Sequence, residues 1–447
     1  MAEKRVAVIG AGVSGITAAK RLRAEGLHVR VFERALGPGG VWSYSCNANA
    51  PFATPMYDPL ETNYPRELME FADHPWPADT PLYPSHRQVM DYLSDFSKGV
   101  EVEYGTEVVD VFKRTPRWPR RWCVTIQKRD SEDKTPIEFD AVVICMGTFD
   151  KPFMPEHEGL AEWEKAYTDS VLHSKTFRNK LTVSLQNVLI IGVGPSGSDI
   201  ADKLSKVAKT VWQSTRGDKE RIKNTKIKPV GPIKKLNHKT GAVEIEVGED
   251  LTQIDKIIYC TGYNYSHSFL RKGIRAKEPL HDDGMRIDNL WKHMFWIEEP
   301  SLVFIGITKD NPTFLIAQAQ AAYATRVLAG NASISAKAAM RRDLAADLEK
   351  RKEAKLSIKD KAHNMRGDWS KEYIETLRER CKKDEKAMKC KIVSGNEPFI
   401  WTERIDWVMK NRQALRKAYV EKACLRKNYP TPESLGFRQC PKCSEKK

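Results

Sequence analysis

The pattern Gly-x-Gly-x-x-Gly occurs twice in this chain, at Gly10-Ala11-Gly12-Val13-Ser14-Gly15 and at Gly192-Val193-Gly194-Pro195-Ser196-Gly197, 182 residues apart. Each copy follows an apolar run, Val6-Ala7-Val8-Ile9 or Val188-Leu189-Ile190-Ile191, and opens an amphipathic stretch. Strand, glycine turn and helix in that order form the context in which the pattern holds a dinucleotide. The first glycine permits a tight turn, the second lets backbone approach a pyrophosphate, and the third lets the helix pack against its strand. The helix N-terminus adds N–H donors and the positive end of its dipole. Gly10, Gly12 and Gly15 are therefore cofactor-binding candidates, as are Gly192, Gly194, Ser196 and Gly197. Two such sites in one chain imply two dinucleotides between which electrons pass.

The two copies are closed differently. Glu33 ends the second strand of the first unit, 21 residues after Gly12. Its carboxylate can accept from ribose hydroxyls and would repel a 2′-phosphate, which excludes NADP there and suits FAD or NAD. In the second unit, alignment sets Gln213 near the place of Glu33, and no acid follows until Asp218. The strand end reads Trp212-Gln213-Ser214-Thr215-Arg216. Arg216 can fork onto a 2′-phosphate, with the Ser214 and Thr215 hydroxyls adding hydrogen bonds, so this site is expected to take NADPH. The competing reading of Arg216 is a solvated surface charge. Lys219, Arg221 and Lys223 extend the positive field.

The 447-residue length suits two to four domains. Strand and helix signals alternate from Val6, which predicts an α/β chain with parallel sheets. Apolar strands end at glycine three more times, at Gly147, Gly262 and Gly306. The simplest topology inserts the second unit into the first. It gives a first domain, of FAD or NAD type, at 1–178 and 291–335, an NADPH domain at 179–290, and a helical, basic extension at 336–447 packed on the first domain. Pro51 to Pro84 is too irregular for regular elements. Val100–Tyr104, Val108–Phe112 and Trp122–Gln127 read as a strand meander.

The net charge of +15 is concentrated in residues 203–239 (+10) and 331–447 (+13), leaving −8 for the rest. The tail mixes both signs along helical runs, which points to solvated helix faces rather than a nucleic-acid groove. Its aromatics Trp369, Tyr373, Phe399, Trp401, Trp407 and Tyr419 are expected to pack onto the body. The nine cysteines are scattered, and Cys145 and Cys260 sit in apolar runs, as reduced buried thiols do in the cytoplasm. No secretory leader or membrane anchor is visible, so a cytoplasmic protein is expected. Cys440-Pro441-Lys442-Cys443 lacks a second ligand pair and is read as a polar terminus; no metal is expected.

Several local motifs resemble the flavin-containing monooxygenases, in that family's order. Gly39-Gly40-Val41-Trp42 matches the family's Gly-Gly-x-Trp. Glu61-Thr62-Asn63-Tyr64-Pro65-Arg66 matches a Thr-Asn segment that the family places beside the flavin ring. Tyr83-Pro84-Ser85-His86, Cys260-Thr261-Gly262-Tyr263 with Asp255 upstream, and Gln320-Ala321 match further stretches. The resemblance covers about residues 5–330. It adds Gly40, Val41, Trp42, Thr62, Gly147, Thr261, Gly262 and Gln320 to the cofactor-binding candidates. The family's linker signature aligns with Tyr167 to Phe177. His173 and Phe177 fit, and Asp169 replaces a glycine. Without the family, His173 reads as a hinge or packing histidine.

The resemblance implies FAD and NADPH as cofactors. It also implies a C4a-hydroperoxide formed from O₂, and transfer of one oxygen to a nucleophilic nitrogen or sulfur of a small molecule. Phe177, where Baeyer–Villiger relatives carry Trp, favours heteroatom oxygenation. Asn63 is the catalytic candidate: its amide can donate to flavin and accept from nicotinamide. Its alternative is a turn-forming Asn in a Pro-rich loop. Baeyer–Villiger oxygenation, an uncoupled NADPH oxidase, and a non-catalytic flavoprotein with a basic recruiting tail stand as competing readings. Substrate identity and oligomeric state, a homo-oligomer included, stay open.

Overall fold

The computed structural model describes residues 3–114, 121–217, 222, 224–270, 284–354, 363–388, 390–422, 429 and 431–437. It is an α/β chain of two compact units. One comprises Met1–Ser43, Glu61–Thr148 and Tyr265–Lys447; the other comprises Tyr44–Leu60 and Phe149–Asn264.

The first unit is built on a six-stranded sheet. Arg5–Ile9 lies at its heart, flanked in parallel by His28–Phe32 and Ala141–Ile144. Leu302–Phe304 extends the parallel run, and a short hairpin of Leu290–Trp291 and Phe295–Trp296 closes that edge. Central strands covered on both faces read as continuous apolar runs, and Ala141–Ile144 is buried at every position. The helix Val13–Ala24 packs on the long, almost wholly buried helix Thr313–Ala329. The antiparallel meander is Thr106–Lys113, Trp122–Lys128 and Lys134–Phe139. Val100–Tyr104 is not one of its strands. Gly99 and Gly105 take positive φ on either side, and Glu103 instead bridges Phe32 at the edge of the main sheet.

The second unit carries a five-stranded, all-parallel sheet. Its order is Ile227–Val230, Thr210–Ser214, Asn187–Ile191, Lys256–Tyr259 and Val171–His173. This pairing moves the crossing points expected near residues 178 and 290. Val171–His173 joins the second sheet and Leu290–Trp291 the first, so the units divide at 148/149 and 264/265. Tyr57 also belongs to the second unit, donating its hydroxyl to Asp199 at 2.5 Å and packing edge-on against Phe177.

Among the described residues, the C-terminal segment forms three long helices, Lys337–Glu353, Trp369–Met388 and Glu403–Glu421. It is part of the first unit, not a separate body. Tyr373, Phe399, Trp401 and Tyr419 are buried in one apolar cluster with Ile16, Leu22 and Phe314, while Trp369 and Trp407 pack at its margin. Among the described residues, no helix is long and apolar enough to cross a membrane, and no group of three or more His, Cys, Asp or Glu could hold a metal. Cys440 and Cys443 lie outside the described residues, as do Asp218, Lys219, Arg221 and Lys223.

Candidate functional site

The first cradle is a lock made of backbone. Gly10 turns with φ +100°, and a Cβ there would lie 2.7 Å from the Cys145 carbonyl oxygen. A Cβ on Gly15 would lie 1.8 Å from the Gly10 oxygen. Neither position tolerates a side chain, because both neighbours are main chain. Gly12 is the N-cap of the helix and faces Gly40, whose own Cβ would come within 3.0 Å of the Gly12 Cα. The two motifs, far apart in sequence, thus present side-chain-free backbone to one slot at a helix N-terminus, the arrangement a pyrophosphate requires. Val41 and Trp42 form a short turn over the Gly39 carbonyl, with Trp42 N donating at 3.1 Å.

Glu33 is 9 % exposed. One carboxylate oxygen accepts from Ala11 N at 2.7 Å and the other from Ala35 N at 2.9 Å. Charge-assisted bonds of this kind contribute roughly 1.5–3 kcal/mol each. They hold the acid beside the fingerprint turn and leave lone pairs for ribose hydroxyls. Slot and acid together fit the adenosine pyrophosphate half of FAD.

The second cradle repeats the lock. A Cβ on Gly192 (φ +112°) would lie 2.6 Å from the Cys260 oxygen, and one on Gly197 would lie 2.2 Å from the Gly192 oxygen. Gly194 is the N-cap, Pro195 opens the helix, and Ser196 is half-buried in its first turn. Burial pushes the Cys260 thiol up to about 12 and the Cys145 thiol further up, so both are packing groups beneath the turns rather than nucleophiles.

Register corrects one sequence assignment. Ile9 pairs with Phe32 and Ile191 with Ser214; likewise Gly10 N donates to Phe32 O and Gly192 N to Ser214 O. The counterpart of Glu33 is therefore Thr215, two residues beyond Gln213. Gln213 is buried and donates its amide to the Gly192 carbonyl at 2.8 Å. Ser214 Oγ donates to Gly231 O at 2.9 Å, and Thr215 Oγ1 accepts from Gly217 N at 3.2 Å. Arg216 follows, exposed. Burial, reinforced by the Arg216 charge, holds nearby His157 below the ordinary imidazole range. A hydroxyl where the first unit has an acid, then an exposed guanidinium, fits a 2′-phosphate and hence NADPH.

Other predicted residues are engaged inside the protein. The Gln320 amide is fully buried, accepting from Gly306 N and donating to Tyr373 Oη, both at 2.9 Å. Thr62 is buried and donates its hydroxyl to Tyr64 O at 2.8 Å. Thr261 Oγ1 donates to Phe153 O, and the Gly262 carbonyl accepts from Phe153 N and from His173. Gly147 turns with φ +68° and has open space where a Cβ would be. Asn63 stands exposed at the turn after Thr62, with no side-chain hydrogen bond among the described residues.

His173 is a packing residue. Nδ1 accepts from Lys175 N and Nε2 faces Gly262 O, both at 3.1 Å, which sets the Nε2–H tautomer. Asp169 takes the left-handed conformation of the glycine it replaces, φ +60°, with its carbonyl accepting from Lys256 Nζ. Asp is among the side chains that reach this region at least cost.

Two residues outside the sequence-based candidates support the cradles. Asp140 accepts from Arg5 N at 2.8 Å as Asp255 does from Asn187 N at 2.7 Å, each anchoring the start of a fingerprint strand. Gly306, with φ +82°, packs so closely on the fingerprint helix that a Cβ would lie 2.1 Å from Ser14 Oγ. Asp140 stands just before an apolar strand, as Asp255 does, and Gly306 just after one, as Gly147 and Gly262 do.

Two complete cradles, one closed by an acid and the other by a Thr-Arg pair, define a protein built to hold two different dinucleotides. A family model described as Flavin-binding monooxygenase-like matches residues 3–225 and 219–389. The thiol-specific monooxygenase of Saccharomyces cerevisiae is 32% identical over 343 residues, spanning 73% of this chain and 77% of the yeast protein. The flavin-containing monooxygenase FMO GS-OX1 of Arabidopsis thaliana is 31% identical over 412 residues, 85% of each chain. Among solved structures, S-allyl-L-cysteine S-oxygenase from Allium sativum superposes with a TM-score of 0.81 at 27% identity, covering 100% of this chain and 99% of that one. The chain belongs to the flavin-containing monooxygenase family, whose cofactors are FAD and NADPH.

Proposed function

We propose that this enzyme uses NADPH and O₂ to add one oxygen atom to a soft nucleophile, a nitrogen or sulfur atom of a small organic molecule. The observation that carries the proposal is the asymmetry between Glu33 and Thr215-Arg216, which gives the two cradles different dinucleotides. Bound FAD, once reduced by NADPH, supplies the activated oxygen.

The chain's residues bind and orient. Gly12 and Gly40 leave room for the FAD pyrophosphate, and Glu33 selects free ribose hydroxyls. Gly194 and Ser196 receive the NADPH pyrophosphate at the second helix N-terminus, and Arg216 selects the 2′-phosphate. Asn63 offers an uncommitted amide, able to donate one hydrogen bond and accept another at the reacting face. An electron-rich acceptor needs no general base, so this division of labour suffices. Sulfur is the favoured acceptor, in keeping with the yeast and Allium relatives, whose names specify thiol and S-allyl-cysteine oxidation.

The test is turnover of thioethers and amines, whose oxides retain the transferred oxygen, with NADPH under isotopically heavy O₂. The product should carry one heavy oxygen per NADPH consumed. Product free of heavy oxygen, or NADPH use that no acceptor raises, would remove the proposal.

A further inference from the structure

The basic C-terminal segment has no part in the reaction above, yet its last long helix grips the loop that carries Asn63. Near the start of Glu403–Glu421, Arg404 donates Nε and Nη2 to the two oxygens of Glu67, at 2.7 and 2.9 Å. Glu433 holds the other side of the same guanidinium, with Nη2 to Oε2 at 3.1 Å. Twelve residues on, about 18 Å along the helix, Arg416 Nη1 lies 3.5 Å from Glu61 Oε2. The Arg416 guanidinium also sits 4.8 Å from the centre of the Tyr83 ring.

Glu61 and Glu67 bracket Asn63 in sequence. Between them Thr62 N donates to Pro84 O at 2.9 Å and Arg66 N to Leu82 O at 2.8 Å. The 82–84 stretch is itself held by the tail: Leu82 N donates to Tyr429 O at 3.2 Å and Tyr83 Oη to Arg412 O at 3.3 Å. The Asn63 side chain has no bond of its own among the described residues, so what the protein fixes of it is the backbone that carries it, held at the two ends of its loop.

We infer that Arg404 and Arg416 are positioning residues for Asn63, and that the C-terminal helix is a two-point clamp on the loop presenting it. The clamp is uneven. Arg404 makes a bidentate fork, the strong and directional form of the contact, while Arg416 makes a single long one. Both pairs are about one-quarter exposed, 26 and 24 % for Arg404 and Glu67 and 24 and 23 % for Arg416 and Glu61, so water and salt screen them only partly. Part of the tail's positive charge is thereby accounted for, since it faces acids at both ends of the reactive loop.

This inference rests on the reading of Asn63 above, and the test separates the two. Holoenzyme carrying Arg404→Met, Arg404→Lys or Glu67→Gln is compared with wild type and combined with Asn63→Ala, with methyl phenyl sulfide as the probe. Sulfoxide formed per NADPH is measured beside H₂O₂ released, FAD content and melting temperature. A displaced Asn63 should lower sulfoxide per NADPH by about tenfold in Arg404→Met. The missing electrons should appear as H₂O₂, by NADPH + H⁺ + O₂ → NADP⁺ + H₂O₂, with FAD content unchanged. Arg404→Lys, which keeps the charge and loses the fork, should fall between. In the Asn63→Ala background Arg404→Met should cause no further loss. A lower melting temperature with unchanged sulfoxide per NADPH would overturn the clamp, as would an equal further loss in Asn63→Ala. If Arg404→Met fails to fold, Glu67→Gln reads the same contact from the other side. Full coupling in Asn63→Ala alone would remove the underlying reading, and the clamp's purpose with it.

Discussion

At Gly10 and Gly192 the chain makes the same turn for the same reason, a carbonyl oxygen from a neighbouring strand within 2.7 or 2.6 Å of where a Cβ would stand. The offset of 182 residues between the fingerprints carries Gly12 to Gly194, Gly15 to Gly197 and Glu33 to Thr215. Backbone geometry is identical in kind; the side chain at the strand end is not. Gly12 is also faced by Gly40, whereas among the described residues nothing beyond its own chain neighbours lies within 4 Å of a Cβ built on Gly194. The lock is therefore generic, and in the proposed reading cofactor choice resides in very few side chains placed around it.

The largest test of this comparison is to break one lock at a time. Gly15→Ala would place a methyl 1.8 Å from the Gly10 oxygen and Gly197→Ala one 2.2 Å from the Gly192 oxygen. Gly15→Ala should abolish bound FAD or folding. Gly197→Ala should purify yellow, with its flavin absorbance intact, and fail to oxidise NADPH. Equal loss of flavin in both variants would show that the cradles are not separable.

Asn63 belongs to the first unit alone. Asn63→Ala should keep FAD and lower oxygenated product by about 100-fold, the scale of one lost hydrogen-bond donor at a reacting centre; product yield against flavin content measures it. A smaller effect is expected at the closing side chain of the second cradle. Arg216→Gln should raise KM for NADPH by about 10- to 100-fold, the equivalent of a lost charge-assisted bond, and leave KM for NADH unchanged. Smallest of all is the effect on His157. The Arg216 charge adds to burial in depressing its pKa, so a bound 2′-phosphate should raise it. The imidazole then gains protons as pH falls at a higher pH than in the free enzyme. NMR titration with NADP⁺ should show that rise, and NAD⁺ should not.

The parts of this molecule that were legible in the sequence are those where residue type and backbone geometry coincide. A glycine is demanded wherever a Cβ would strike main chain, so both cradles announce themselves. What escaped depends on register or distance. A two-residue slip set Gln213 in the place of Thr215, because no side-chain pattern marks strand pairing that finely. The strand Val171–His173 is too short to be recognised, and its pairing with Lys256–Tyr259 decides where the second unit starts. Nothing in residue type marks Asp169 for the left-handed turn it makes at φ +60°, since an Asp reaches that region but does not demand it. Arg404 and Glu67 lie 337 residues apart, and no local signal pairs them.

The central claim is that the two cradles hold different dinucleotides because Glu33 in one is Thr215-Arg216 in the other. Anaerobic reduction of the FAD-loaded enzyme by NADPH and by NADH, in wild type and in Thr215→Glu/Arg216→Gln, tests it most directly. Wild type should be reduced at far lower NADPH than NADH, and the double variant should reverse that order. Equal response to both nucleotides in wild type, or an unchanged preference in the double variant, would contradict the account.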